Sequence, residues 1–273
     1  MSPSGAGGVD SMLAIAARAA RTAGSIVLDA ARDLKRLPAF SKEHAEIVAA
    51  AEMEAEDAIV AAIRGAYPEH AILGEESAHI DGAREGSGYK WLVDPIDGAT
   101  NFQHGYGGYG VSIALVHGSE VTHAVVLDPV RDELFQASKA KGATCNGATL
   151  HVSACPGLAD ALVGTVSPAR NDPRLRSYTP SLSMLMLHCA GVRLAGSWAL
   201  AMAHVAAGRL DGFWTANLRP WDIAAGALLV IEAGGRIGDL AGGTNFLRTN
   251  EVIASSPGVF NGVREAIASA RVV

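Results

Sequence analysis

The sequence predicts an α+β protein built in layers, and three patterns carry that prediction. Two long N-terminal stretches repeat apolar residues at helical spacing. Short apolar runs of strand length follow in hairpin-like succession, and the second half alternates strand with helix. At 273 residues the chain is one large or two small domains by length, and it can bury a sizeable core without covalent staples.

In chain order, residues 1–10 are small and Gly/Ser-rich and are expected to be disordered. Asp10 or Ser11 can cap a first helix reaching about Leu34, with Met12, Ile15, Ala19, Ala23, Ile26 or Val27, Ala30 and Leu34 on one face. A second helix, 44–66, aligns Ile47, Ala51, Ala55, Ile59 and Ile63 and stops at Tyr67-Pro68, because a residue before proline disfavours the helical region. Glu52 and Glu56 lie one turn apart on it. Strands are expected at 71–73, 91–93, 111–116, 121–127 and 133–137, and 142–147 reads as a turn-rich break. There follow a strand at 161–166, a helix at 181–188, a strand at 192–194, a helix capped by Ser197 and stopped at Gly208, and a strand at 210–214. A helix opened by Pro220-Trp221-Asp222 stops at Gly234-Gly235; a short strand and a helix at 259–270 complete the chain. The composition shift between Gly142 and Pro156 sets an expected boundary, with 11–145 as an N-terminal half and 146–273 as a C-terminal half.

Composition excludes several classes. Hydrophobic residues make up 49% and charged residues 18%, too apolar for a disordered chain. The net charge of −6 argues against a nucleic-acid partner, whose footprint is a basic excess, and leaves room for an acidic group that binds cations. The first apolar stretch is broken by Arg18, Arg21, Asp29, Arg32 and Asp33, so no membrane span is expected, and no basic segment precedes it as in a signal peptide. Cys145, Cys155 and Cys189 form no metal-type pair and are expected to be reduced thiols of a cytoplasmic protein. Gly105, Gly107 and Gly110 match a dinucleotide-loop spacing, but the segment after them is strand-like, so a tight turn is the better reading.

The stretch WLVDPIDGATNF stands out. A strand delivers Asp94 at its end, Pro95 stiffens the turn, and Asp97 returns three residues later. Two carboxylates and the Ile96 carbonyl offer the oxygens that magnesium prefers, and a helix opening at Gly98, Ala99 and Thr100 presents free N–H groups to a phosphate. On this segment alone, a capped turn in which Asp97 satisfies backbone donors is an equal reading. Glu75 and Glu76 directly after a strand, Glu52 on a preceding helix and Asp222 at a helix start favour the cation reading, since several like charges buried together cannot all stay ionised without one.

In order and spacing, YPEHAILGEES, WLVDPIDGATNF, KGATCNG, GSWALAMAHVAAGRLDGFW and PWDIAAGALLVIEAGG resemble the inositol monophosphatase family of lithium-sensitive, magnesium-dependent phosphatases, over about 12–268. The resemblance implies a layered α-β-α-β-α sandwich of the inositol monophosphatase and fructose-1,6-bisphosphatase type, usually a homodimer. It implies Glu75, Asp94, the Ile96 carbonyl, Asp97 and Asp222 as ligands of two or three Mg2+ ions. These would bind the phosphate, activate a water and stabilise the leaving oxygen. It also places Gly98, Ala99, Thr100, Gly196, Ser197, Trp198 and Thr215 at the substrate, with Asp97 and Asp222. The activity implied is hydrolysis of a small phosphate monoester of a polyol, a sugar or histidinol.

The chain departs from the family pattern at informative positions. The helix motif that ends in Asp ends here in Glu52, which moves a carboxylate by about one methylene where reacting geometry is tight. Ala99 stands where the family has the threonine that partners this carboxylate in activating water. Thr215 replaces a glutamate of inositol-preferring members, Ala201 replaces an aspartate, and Trp198 replaces a small residue facing the polyol, either to cover a flatter substrate or simply to pack. These departures support a second expectation: an attenuated or inactive homologue that binds a phosphorylated ligand or a protein partner and regulates.

Overall fold

The computed structural model describes residues 8–38, 41–77, 87–216 and 218–270. Helices α1 (Gly8–Leu34) and α2 (Lys42–Ala66) form the first layer. The first helix begins at Gly8, inside the segment expected to be disordered, and the second is capped by the Ser41 hydroxyl, which accepts from His44 N at 3.1 Å. Ala16, Ala19, Ala20 and Ala23 of α1 and Ala51, Ala55, Ile59 and Ile63 of α2 are buried against Trp91, Val93, Val111, Ile113, Val125 and Leu127 of a sheet. The alanine stripe lets the helices lie close to the strands.

That sheet has seven strands in sequence order: β1 (Ala71–Gly74), β2 (Tyr89–Asp97), β3 (Gly110–His117), β4 (Glu120–Asp128), β5 (Glu133–Ser138), β6 (Ala143–Cys145) and β7 (Ala148–Thr149). β1 and β2 run parallel and the remaining neighbours antiparallel. The last two strands correct the expected break at 142–147. Asn146 and Gly147, both at positive φ, form a two-residue hairpin turn, so a glycine-rich segment that reads as loop carries short strands on either side. The five-residue α3 (Ala99–Gln103) joins β2 to the glycine-rich turn before β3, which is a turn as expected.

The second sheet is ordered β11-β12-β10-β8-β9, from β8 (Leu162–Thr165), β9 (Gly191–Leu194), β10 (Gly212–Ala216), β11 (Arg236–Gly238) and β12 (Glu251–Ser255). Between the sheets lie α5 (Trp198–Ala206) and α6 (Pro220–Glu232), buried around nearly their whole circumference, which is why both are apolar on every side. On the far face α4 (Leu175–His188) and α8 (Phe260–Ala270) pack over Val163, Trp214 and Ile253. The chain thus adopts the five-layer α-β-α-β-α sandwich expected above. α4 starts well before 181 and runs through Pro180, because Tyr178 is buried in a stack on Trp214, with ring centroids 5.2 Å apart. Where one short strand is expected after Gly235 the structure has two, β11 and β12, with the short α7 (Phe246–Thr249) between them. Among the described residues no helix is long and apolar enough to cross a membrane, and all three cysteines are free.

One contact locks the middle layer to the first sheet. Glu232, at the end of α6, accepts from the N–H groups of Ala140, Lys141 and Gly142 at 2.7, 3.1 and 2.8 Å, so the β5–β6 turn closes around an anion. Glu232→Ala should cost about 1–3 kcal/mol of unfolding free energy, read by urea denaturation, with faster amide exchange at 140–142 and unchanged exchange in α1.

Candidate active site

The site begins with an irregularity in β2. In a regular strand, residues an odd number apart face opposite sides of the sheet. Asp94 pairs with Ser112 and Asp97 with Gly110, so three steps along β2 match two along β3. The extra residue is a bulge, and it brings Asp97 to the side Asp94 already faces, toward α5 and α6. Within it Ile96 N donates to Asp94 Oδ1 at 3.0 Å. Gly98 ends the strand at φ +100°, a conformation that favours glycine; a Cβ there would lie 3.0 Å from the Gly108 carbonyl oxygen.

Each carboxylate is braced by a different element. Asp97 is 1% exposed and sits on the N-terminus of α5. Its Oδ2 accepts from Ser197 Oγ at 2.5 Å and Ala199 N at 2.6 Å, and its Oδ1 from Trp198 N at 3.2 Å. Asp222 stands in the first turn of α6, where its Oδ2 accepts from Arg219 N at 2.7 Å. Ser112 Oγ donates to the Trp221 carbonyl at 3.1 Å and ties this turn to the strand beside Asp94. Glu75 follows β1, its N–H bonded to the Val93 carbonyl at 3.1 Å. The Glu75 carboxyl lies near Asp94, whose Oδ2 is buried with no hydrogen-bond partner. Glu52 reaches the same cleft from α2, half-buried and close enough to feel the charges of Glu76 and Glu75.

Crowding raises every member. Asp94 is pushed well above the usual carboxylate range by burial and then by Asp97, Glu75 and Asp222. Burial and the Asp97 charge lift Asp222 to about 8. Asp97 reaches only about 6, because the three donors at α5 oppose its burial. Glu52 rises to about 7 through burial, then Glu76 and Glu75. Desolvation lifts Glu75 as well, against its contact with Asp94. Among the described residues no three His, Cys, Asp or Glu side chains already stand at ligand distance around one point.

The remaining sequence-predicted positions fall around this cluster. Ala99 is partly exposed and Thr100 exposed in the first turn of α3, whose leading N–H groups have no intrahelical acceptor. Gly196 and Trp198 are partly exposed, whereas the Ser197 hydroxyl is engaged, donating to Asp97 and accepting from Leu200 N at 3.1 Å. Thr215 is 3% exposed on β10, on the side of Phe213 that faces the middle layer. Sequence reasoning passed over Ser112 and Arg219, and noted Glu56 only as one turn from Glu52, with no role. Glu56 is 2% exposed and takes the Glu76 and Ser77 N–H groups. A signal for it was present, since it adjoins the apolar stripe of α2 at Ala55 and Ile59.

Residues 9–271 match the inositol monophosphatase family. The chain belongs to that family. A Nus factor SuhB of Pseudomonas aeruginosa is 44% identical over 261 residues, covering 94% of this chain and 95% of that protein. Among solved structures, the extragenic suppressor protein suhB of Bartonella henselae superposes with a TM-score of 0.85 at 34% identity, covering 94% of this chain and 99% of that one. The inositol monophosphatase of Anabaena superposes with a TM-score of 0.83 at 32% identity, covering 95% and 96%. The inositol monophosphatase fold therefore extends over nearly the whole chain, acidic cleft included.

The raised acids set the sign of a pH effect in this family member. The folded chain holds protons that the unfolded chain, with Asp and Glu titrating near ~4, has already released. Their contribution is present below about pH 4 and is lost as pH rises toward about 8. His70 and His204, lowered by burial, act in the opposite sense until their unfolded-state titration, centred near 6.5, is complete at about pH 7.5. In chelator, Tm should fall between about pH 7.5 and pH 8.5, and the fall should shrink in Asp94→Asn. A Tm that rises across this window in differential scanning calorimetry would contradict the crowding described here.

Proposed function

We propose that the chain is a magnesium-dependent hydrolase of a small phosphate monoester. The observation that carries this reading is the buried Asp94 Oδ2 without a hydrogen-bond partner, with Asp97, Glu75 and Asp222 near enough that their charges act on the Asp94 carboxyl. An all-oxygen, multiply anionic donor set with an orphaned acceptor fits a hard divalent cation. Glu75, Asp94, the Ile96 carbonyl, Asp97 and Asp222 would hold two or three Mg2+ ions. Magnesium supplies positive charge that neutralises the phosphoryl group and lowers the proton affinity of a nearby water.

The chain's own groups do the rest. The α3 N–H groups at Gly98, Ala99 and Thr100 bind phosphate oxygens. Asp97, fixed by α5, keeps its orientation as the substrate enters. Glu52, reaching the cleft from α2, takes the proton of the attacking water. Ala99 offers no hydroxyl to share that task. Thr215, buried on β10, gives the polyol no carboxylate, and Trp198 borders the cleft, so a compound other than inositol 1-phosphate is the favoured substrate.

A second reading has support of its own. Ala99 weakens water activation, and the Pseudomonas aeruginosa relative carries the name Nus factor, so a regulatory role in which the cleft binds a phosphorylated ligand or the surface binds a protein partner is the alternative. Assay of a phosphomonoester panel with and without magnesium separates the two. Under the hydrolase reading at least one compound turns over only with magnesium, inositol 1-phosphate is not the best by more than tenfold, and magnesium raises Tm in wild type but not in Asp94→Asn. No turnover of any compound favours the regulatory reading.

The base is tested at saturating magnesium. Glu52→Gln should lower kcat by about 10²-fold. Glu52→Asp with Ala99→Thr should raise it by more than the two single changes combined, because the two groups act as one unit. Little change in Glu52→Gln would remove Glu52 from the role of base, and a double variant no faster than wild type would mean that Ala99 is compensated or would favour the regulatory reading.

A further inference from the structure

We infer that Glu56 is a positioning residue that holds the Glu75 loop against α2 in the geometry required for cation binding. The inference rests on the metal role proposed for Glu75.

Glu56 lies one turn beyond Glu52 on α2 and is 2% exposed, so its carboxylate has left water and must be compensated within the protein. The compensation comes from the loop after β1. Oε2 accepts from Glu76 N at 3.0 Å and Oε1 from Ser77 N at 2.9 Å. Two consecutive N–H groups converge on two oxygens, an arrangement suited to an ionised carboxylate; a glutamine would turn an NH2 toward one of the donors.

The backbone on the other side of Glu75 touches the same group. A Cβ on Gly74 would overlap the Glu56 carboxylate. Both peptide neighbours of Glu75 therefore rest on Glu56, while its own N–H is held by the Val93 carbonyl at 3.1 Å. The backbone at Glu75 is fixed from two directions, and its carboxyl is left to meet Asp94.

α2 carries Glu52 on the same side one turn earlier, so one rigid element sets the position of the proposed base relative to the loop bearing Glu75. Glu56 touches neither the phosphate subsite at α3 nor Asp97 or Asp222 among the hydrogen bonds of the site.

The test uses the full chain with Glu56→Gln, and Gly74→Ala as a second variant that presses on the same carboxylate from the opposite side. Amide exchange is measured without cations, and magnesium is titrated by Tm and by hydrolysis. In Glu56→Gln, exchange at Glu76 and Ser77 should quicken by about tenfold or more, and half-saturation by magnesium should rise by a similar factor. The kcat at saturating magnesium should stay within about threefold, and Gly74→Ala should raise the half-saturation in the same direction. A merely structural role would lower Tm equally with and without magnesium and leave the half-saturation unchanged, which overturns the inference. If wild type itself shows no response to magnesium, the hydrolase reading fails, and the amide exchange then decides: unchanged exchange at Glu76 and Ser77 in Glu56→Gln overturns the hold on the loop as well.

Discussion

The site depends on one surplus residue in a strand. β2 runs three steps where β3 runs two, and that mismatch turns Asp97 onto the side of the sheet already occupied by Asp94. Regular pairing would have sent one carboxylate toward the outer helices, into the apolar layer of Trp91, Val93 and Ile113. With the bulge, both enter the space beneath the N-termini of α5 and α6. The glycine at 98 and the Ile96 N–H bonded to Asp94 are the local adjustments that let the strand carry the irregularity.

Placing so much like charge together is unfavourable, and the fold meets the cost unevenly. Asp97 receives three donors from one helix start and Asp222 one backbone donor from another, whereas Asp94 Oδ2 receives none. The acids are thus graded by how well the protein itself solvates them. The least solvated oxygen lies at the centre, which is where an added positive charge gains most. The helix ends are neutral scaffolding with a partial positive field, so they hold anions in place without cancelling them as a lysine would.

Much of this was legible in the residues. The apolar stripe of α2, the runs that became β3 to β5 and the proline-led start of α6 all report burial patterns, and burial is what periodicity encodes. Glu75, Asp94, Asp97 and Asp222 were legible as a group because each lies where a strand ends or a helix begins, and in the fold the charges of the other three act on Asp94. Other features were hidden for physical reasons. The β6–β7 hairpin looks like a loop because its turn chemistry occupies most of its length. Only one short strand was legible between α6 and α8, where the structure has β11 and β12; β12 lies between β10 and β11, an arrangement its own residues do not encode. The roles of Ser197 and Glu56 depend on partners 100 and about 20 residues away in sequence, a separation that no local pattern encodes.

The bracing of Asp97 by α5 also bears on how the protein comes apart. The carboxylate belongs to the seven-stranded sheet, while its donors belong to the helical layer shared with the five-stranded sheet. Opening the seam between the layers would strip a buried anion of all its partners at once, a step with no low-cost partial form. The two sheets are therefore fastened at the acidic cleft as well as through their apolar contacts, and unfolding should be more nearly all-or-none than the two separate sheets would imply.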